Sequence, residues 1–192
     1  YWVKKNPDDS IIVLDALTYA GNKNNLAPLL GEPNFKLIVG SICDKTLVDR
    51  LFVEYEINRV VHFAAESHVD RSIDSPESFI LTNVLGTYHL LEVSYKYWNS
   101  LDEKNKKQFK FLLVSTDEVY GSLSKTEDSF VESNSYKPNS PYAASKASSD
   151  HFVRSFKDTY GLPVVISNCS NNFGPNQFSE KLIPLVIQNI IN

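Results

Sequence analysis

Methionine does not occur once in the 192 residues, and no physical property of the chain accounts for its absence. Cysteine is nearly as scarce. Cys43 and Cys169 lie far apart, match no metal-ligand spacing and are too few to frame a fold with disulfides, which excludes a disulfide scaffold and fits a reducing cytoplasm. No apolar run reaches ten residues, and the opening "YWVKKNPDD" lacks the apolar stretch of a signal peptide, so neither a membrane span nor secretion is expected. Basic residues are scattered rather than gathered into a stripe. With a formal net charge of -4 and a sequence pI of about 5.6, the chain lacks the electrostatic footprint of a nucleic-acid binder.

What is present is a globular composition, 42% hydrophobic and 12% aromatic, enough to bury one good core. Short apolar or β-branched runs ("SIIVLD", "FKLIV", "RVVHFAA", "FKFLLVS", "LPVVISN") alternate with segments of helical period over 45–56, 76–98 and 141–160. This alternation predicts an α/β protein: a doubly wound, mostly parallel Rossmann-type sheet flanked by helices. Its strands are expected to be covered on both faces, because the runs do not alternate with polar residues. Residues 100–108 ("SLDEKNKKQ") read as a solvated loop. Residues 122–140 read as a long irregular connection over the carboxyl edge of the sheet, where ligands of such folds bind.

Strand-end residues are therefore the candidates. Asp15 closes the first run, where an acid either binds the ribose hydroxyls of NAD or caps a turn. The glycine loop that cradles a dinucleotide pyrophosphate belongs roughly 20 residues before such an acid. Fourteen residues precede Asp15 and none is glycine, so the opening strand and its glycine loop are expected to be missing from this stretch. Ala64 and Ala65 end the third run; small side chains there admit a flat cofactor or simply pack strand on helix. His62 and His68 have no third ligand at a sensible spacing, so no metal is expected, and a hydrogen-bonded core role fits them. Asp117 and Glu118 follow the fourth run in "STDEVYG", either as a polar turn or as a working acid and base.

Tyr142 and Lys146 stand four apart in "SPYAASKASSDH", on one helix face. A cation there favours phenolate and would make Tyr142 a base toward a sugar hydroxyl. Tyr1/Lys5 and Tyr19/Lys23 share the spacing, but only Tyr142/Lys146 opens a helix behind a proline, downstream of a strand that ends in Ser115-Thr116.

"LDALTYAGN", "AAESHVDRSI", "STDEVYG", "SPYAASKASSDH" and "NCSNNFGPNQFSEKLIP" together resemble the nucleoside-diphosphate-glucose 4,6-dehydratases of the extended short-chain dehydrogenase/reductase superfamily, across nearly the whole chain. Ser179 and Phe173 depart from the family, which usually has Pro and commonly Tyr there. The resemblance implies a lyase that uses NAD, works on a nucleotide sugar with dTDP-glucose foremost, and forms a homodimer. The reaction it implies oxidises C4 of the glucose, eliminates water across C5 and C6, and returns the hydride to C6. By the same resemblance Tyr142 takes the proton of the 4-hydroxyl with help from Thr116, and Lys146 tunes Tyr142 and holds the nicotinamide ribose. Glu118 removes the C5 proton, and Asp117, held protonated by a raised pKa, protonates the leaving oxygen. It also assigns Asp15, Thr18, Ile42 and Asp44 to the adenosine end of NAD, and Ala64, Ala65, Ser115 and Asn168 to the remainder. Ser67, Thr116, Asn171, Lys181 and Leu182 are assigned to the sugar nucleotide. Residues 1–192 would be a partial NAD-binding domain, without most of a C-terminal substrate lobe. An epimerase or decarboxylase of the same superfamily, or a non-catalytic NAD-binding protein, are the alternatives.

Overall fold

The computed structural model describes residues 1–191, which form two compact units. One comprises Tyr1–Gly40 with residues 171–191; the other is Ser41–Ser170.

In the first unit a short helix α1 (Trp2–Lys5) leads into β1 (Ile11–Asp15), and a 3₁₀ segment (Lys23–Leu29) leads into β2 (Phe35–Val39). The strands pair in parallel from Ile11 opposite Phe35 to Asp15 opposite Val39. Asn34 ties α1 to this pair, its amide donating to the carbonyls of Val3, Asn6 and Asp9 at 3.1, 3.3 and 3.1 Å.

The second unit opens with α2 (Lys45–Glu54), β3 (Arg59–His62), α3 (Val69–Asp74) and α4 (Pro76–Phe79). A π-helical stretch, Ile80–Gly86, joins α4 to α5 (Thr87–Ser100), so the helical period over 76–98 is one run with a π turn in it. Gly86 lets that turn pack closely, since a Cβ there would come within 2.8 Å of Ile42 Cδ1 and 3.2 Å of Cys43 Sγ and those side chains would have to shift. Residues 103–108 form α6 (Glu103–Gln108), where the sequence reads as a loop. A polar helix this short shows no apolar stripe; its marks are the Asp102 cap, which accepts from Asn105 N at 2.8 Å, and Lys106 and Lys107 in the last turn.

β4 (Lys110–Thr116), the 3₁₀ turn Asp117–Tyr120, α7 (Pro141–Tyr160) and β5 (Val164–Cys169) complete this unit. The sheet order is β3-β4-β5, all parallel. α7 packs on β4 and β5, α5 on α7, and α2 on α5. Phe111 and Leu113 of β4, Leu91 and Val93 of α5 and Val153 of α7 have no exposed surface, each burial worth about 1.5–3 kcal/mol. The sheet is not covered equally on both faces, as the unbroken apolar runs suggest it should be: Val61 and Val165, which flank Leu112 in register, keep 52% and 54% of their surface. The last helix, α8 (Leu182–Ile191), belongs to the first unit. No helix among the described residues is long and apolar enough to cross a membrane.

Candidate active site

β4 is the central strand of its sheet, and its carboxyl end carries the acid pair. Thr116 leaves the strand with extended backbone and caps the following turn, its Oγ1 accepting from Glu118 N at 3.2 Å and donating to Asp117 Oδ1 at 3.4 Å. Asp117 and Glu118 are thus presented half-buried at the sheet edge. The pair forms a turn and leaves two carboxylates at a strand end. Gly121 closes the turn at φ 104°, with Lys137 O only 2.7 Å from where a Cβ would stand. The irregular segment 122–140 then returns over the turn, pairing Lys137 N with Val119 O at 2.9 Å and packing Phe130 and Tyr136 on Val119, Tyr120 and Ala147.

α7 begins at once behind this segment. Ser140 caps it by accepting from Ala143 N at 3.0 Å, and Pro141 occupies the first turn, where a missing N–H costs nothing. Tyr142 follows, half-buried. Burial, then Glu118 and Asp117, push its phenol up to about 12, against the pull of a hydrogen bond from the Thr116 side chain. Asp150, further along α7, adds to the same upward push. Lys146 is buried, with its Nζ donating to Val114 O at 2.9 Å and further N–H groups left for a ligand. Burial lowers its pKa and Asp150 raises it.

Asn168, opposite Ser115 in register, donates to Thr116 O at 3.2 Å and Asp150 Oδ2 at 3.3 Å, and accepts from Tyr120 OH at 3.3 Å. Its side chain is thus committed to holding the strand end. Ala64 and Ala65, half-buried, follow β3 at the same sheet edge. Their loop is pinned by Asn83 of the π turn, which accepts from Glu66 N at 2.8 Å and donates to Glu66 O at 2.9 Å and to Ser145 Oγ at 2.8 Å. Ser67 lies exposed in that loop. His62 is buried and bonded to Thr87 Oγ1 at 2.9 Å, in the core role expected of it; burial and then Lys146 lower its pKa to about 3.

Two assigned cofactor contacts have local roles. Asp44 caps α2, accepting from Leu47 N at 3.0 Å, and Asp15 closes a turn by accepting from Leu17 N at 2.7 Å, with its second oxygen exposed. Ile42 is buried against Gly86. Asp15, Thr18, Asn171, Lys181 and Leu182 sit in the first unit, the remaining candidates in the second. Sequence reasoning missed Asn83, Tyr136 and Asp150. Only Asp150 carried a signal, since it repeats the Tyr142–Lys146 spacing once more along α7.

The family model described as GDP-mannose 4,6 dehydratase matches residues 1–192. The chain belongs to that family. It is 57% identical over 92% of its length to a dTDP-glucose 4,6-dehydratase of Xanthomonas campestris pv. campestris, and 50% identical over 97% to one of Salmonella typhimurium. The chain spans about half the length of these curated relatives, 50% and 54%. DesIV, a dTDP-glucose 4,6-dehydratase from Streptomyces venezuelae crystallised with NAD and dTDP bound, superposes with a TM-score of 0.87 at 46% identity, covering 98% of this chain and 54% of that one. Parallel sheets flanked by helices are thus the Rossmann-type fold of this family.

Proposed function

We propose that this protein is an NAD-dependent dTDP-glucose 4,6-dehydratase. One observation carries the reading: Thr116, Asp117 and Glu118 leave β4 within the electrostatic reach of Tyr142, so that an acid, a base and a phenol share one strand end. The chemistry needs all three, because a C5 proton is barely acidic until C4 is a ketone, and a C6 hydroxyl leaves poorly until protonated. In this reading Tyr142, helped by Thr116, accepts the proton of the 4-hydroxyl, Glu118 takes the C5 proton, and Asp117 gives its proton to the departing C6 oxygen, which leaves as water. Glu118 then returns its proton to C5.

Residues 1–192 form the NAD-binding part of the protein. NAD, when bound, supplies the hydride acceptor at C4 and the donor at C6. Within the second unit the donor set suits it: spare ammonium hydrogens on Lys146 and small side chains at Ala64 and Ala65. In the first unit the exposed Asp15 carboxylate is of the type that binds a ribose. A nicotinamide cation held near Tyr142 would add positive charge that favours the phenolate. Ser67, Asn171, Lys181 and Leu182 are assigned to the sugar nucleotide. An aromatic seam of Tyr88, Tyr95, Phe152, Phe156 and Tyr160 runs across α5 and α7, and Phe152 and Tyr160 keep 38% and 47% of their surface; this seam is assigned to a homodimer. Mass spectrometry of the full-length protein with dTDP-glucose tests the function. Loss of one water is expected; an isomer of unchanged mass would make it an epimerase instead.

A further inference from the structure

Asp150 is fully buried on α7, one turn beyond Lys146 on the same helix face, and the mechanism above makes no use of it. A buried carboxylate is costly unless donors and a cation surround it. Here Tyr136 OH donates to Oδ2 at 2.9 Å and Asn168 Nδ2 at 3.3 Å. Both groups donate in these bonds, which favours the ionised carboxylate. Oδ1 and the nearby Ser115 Oγ are both buried, and neither has a hydrogen-bond partner.

We propose that Asp150 is a positioning residue for the reaction, supplying the fixed negative charge that keeps Lys146 an ammonium ion beneath the strand end. The proposal rests on the reading of Lys146 as a cofactor-binding and tuning residue. A buried lysine without a counter-charge sheds its proton, and a neutral amine neither stabilises a phenolate nor binds an anionic dinucleotide as strongly. The other titratable groups around the pair do not supply that charge. His62 faces Lys146 from β3 and is neutral; Tyr120 and Tyr136, from the turn and the irregular segment, are phenols whose pKa values lie above the ordinary range. Arg154, further along α7, is a cation over the Tyr136 ring, 5.7 Å from its centroid. Glu118 and Asp117, with Asp150 itself as a smaller contributor, raise the Tyr142 phenol. Burial pushes the Asp150 pKa up, while Tyr136, Lys146 and Asn168 hold it back.

Asp150→Asn separates charge from shape. The amide oxygen still accepts from Tyr136 and Asn168, and its nitrogen can donate to Ser115 Oγ, so the fold is expected to stand. In the full-length protein without substrate, Lys146 Nζ followed by ¹⁵N NMR should titrate about one to three pH units lower in Asp150→Asn than in wild type. The alkaline limb of C4 oxidation should move down with it, which a merely structural role would not produce. An unchanged Lys146 midpoint overturns the proposal. Should the variant fail to fold, ¹³C-carboxyl NMR of the wild type decides: Asp150 ionised at pH 7 beside a protonated Lys146 supports the proposal, and Asp150 protonated at that pH refutes it. Because the Lys146 titration needs no turnover, it is read separately from the product assay, so failure of one is distinct from failure of the other.

Discussion

Replacing Asn83 with alanine should loosen the loop that follows β3 before it disturbs anything else. The side chain is 1% exposed and holds both backbone groups of Glu66, at 2.8 and 2.9 Å, while bonding Ser145 Oγ at 2.8 Å. Ser145 Oγ keeps its own bond to Tyr142 O at 2.7 Å, so it is not stranded. The Glu66 N–H and C=O are. A dry orphan costs about 1–3 kcal/mol, and water reaches half-buried Glu66, so the two together should cost about 2–4 kcal/mol. For a protein of this size that lowers the melting midpoint by about 5–15 °C. Hydrogen exchange of the full-length variant should show the Glu66 amide deprotected far more than β4. Asn83→Asp keeps the acceptor for Glu66 N but sets a carboxylate against Glu66 O, and should cost at least as much. Wild-type protection at Glu66 in Asn83→Ala, with an unmoved melting midpoint, would refute the clamp.

Stability should also fall with acid because of His62. Its folded pKa, about 3, lies below the ordinary 6.5, so its contribution is complete above pH 6.5 and declines as the pH falls toward 3, where only the unfolded chain takes the proton. The slope is about 1.4 kcal/mol per pH unit, and His62→Gln should flatten it in urea titrations across that window; an unchanged slope would place the acid sensitivity elsewhere. Phe152→Glu should convert a sedimenting dimer of the full-length protein to monomer, and a variant that stays dimeric would remove the α5/α7 seam from the interface.

The strands and the long helices were legible because their signal is local: unbroken apolar runs, the Ser140-Pro141 start of α7, the Thr116 cap. Tyr142 and Lys146 were legible for the same reason, one helix turn fixing their common face. Less legible was whatever depends on distant chain segments meeting. Asn83 reaches Glu66 and Ser145, 17 and 62 residues away, and no pattern near "TNVLG" announces it. Nor does a spacing argument see the desolvation of Tyr142, which raises its phenol. At Asp15 the sequence left a ligand role and a turn role side by side, and the turn is present. Asp44, assigned to the cofactor by resemblance alone, caps α2, a role its position before a helical period could have announced.

The central claim is that the acid pair at the end of β4 performs the elimination and is not merely a turn. Stopped-flow absorbance at the reduced-nicotinamide band, with dTDP-glucose and the full-length Asp117→Asn and Tyr142→Phe proteins, tests it most directly. Losing the acid should slow water loss by about 10²- to 10⁴-fold while leaving C4 oxidation intact, so reduced cofactor should accumulate in Asp117→Asn. In Tyr142→Phe, where the proton acceptor for the 4-hydroxyl is gone, none should appear. Wild-type dehydration by Asp117→Asn, with no build-up of reduced cofactor, would contradict the account and leave the pair as the turn that Thr116 caps.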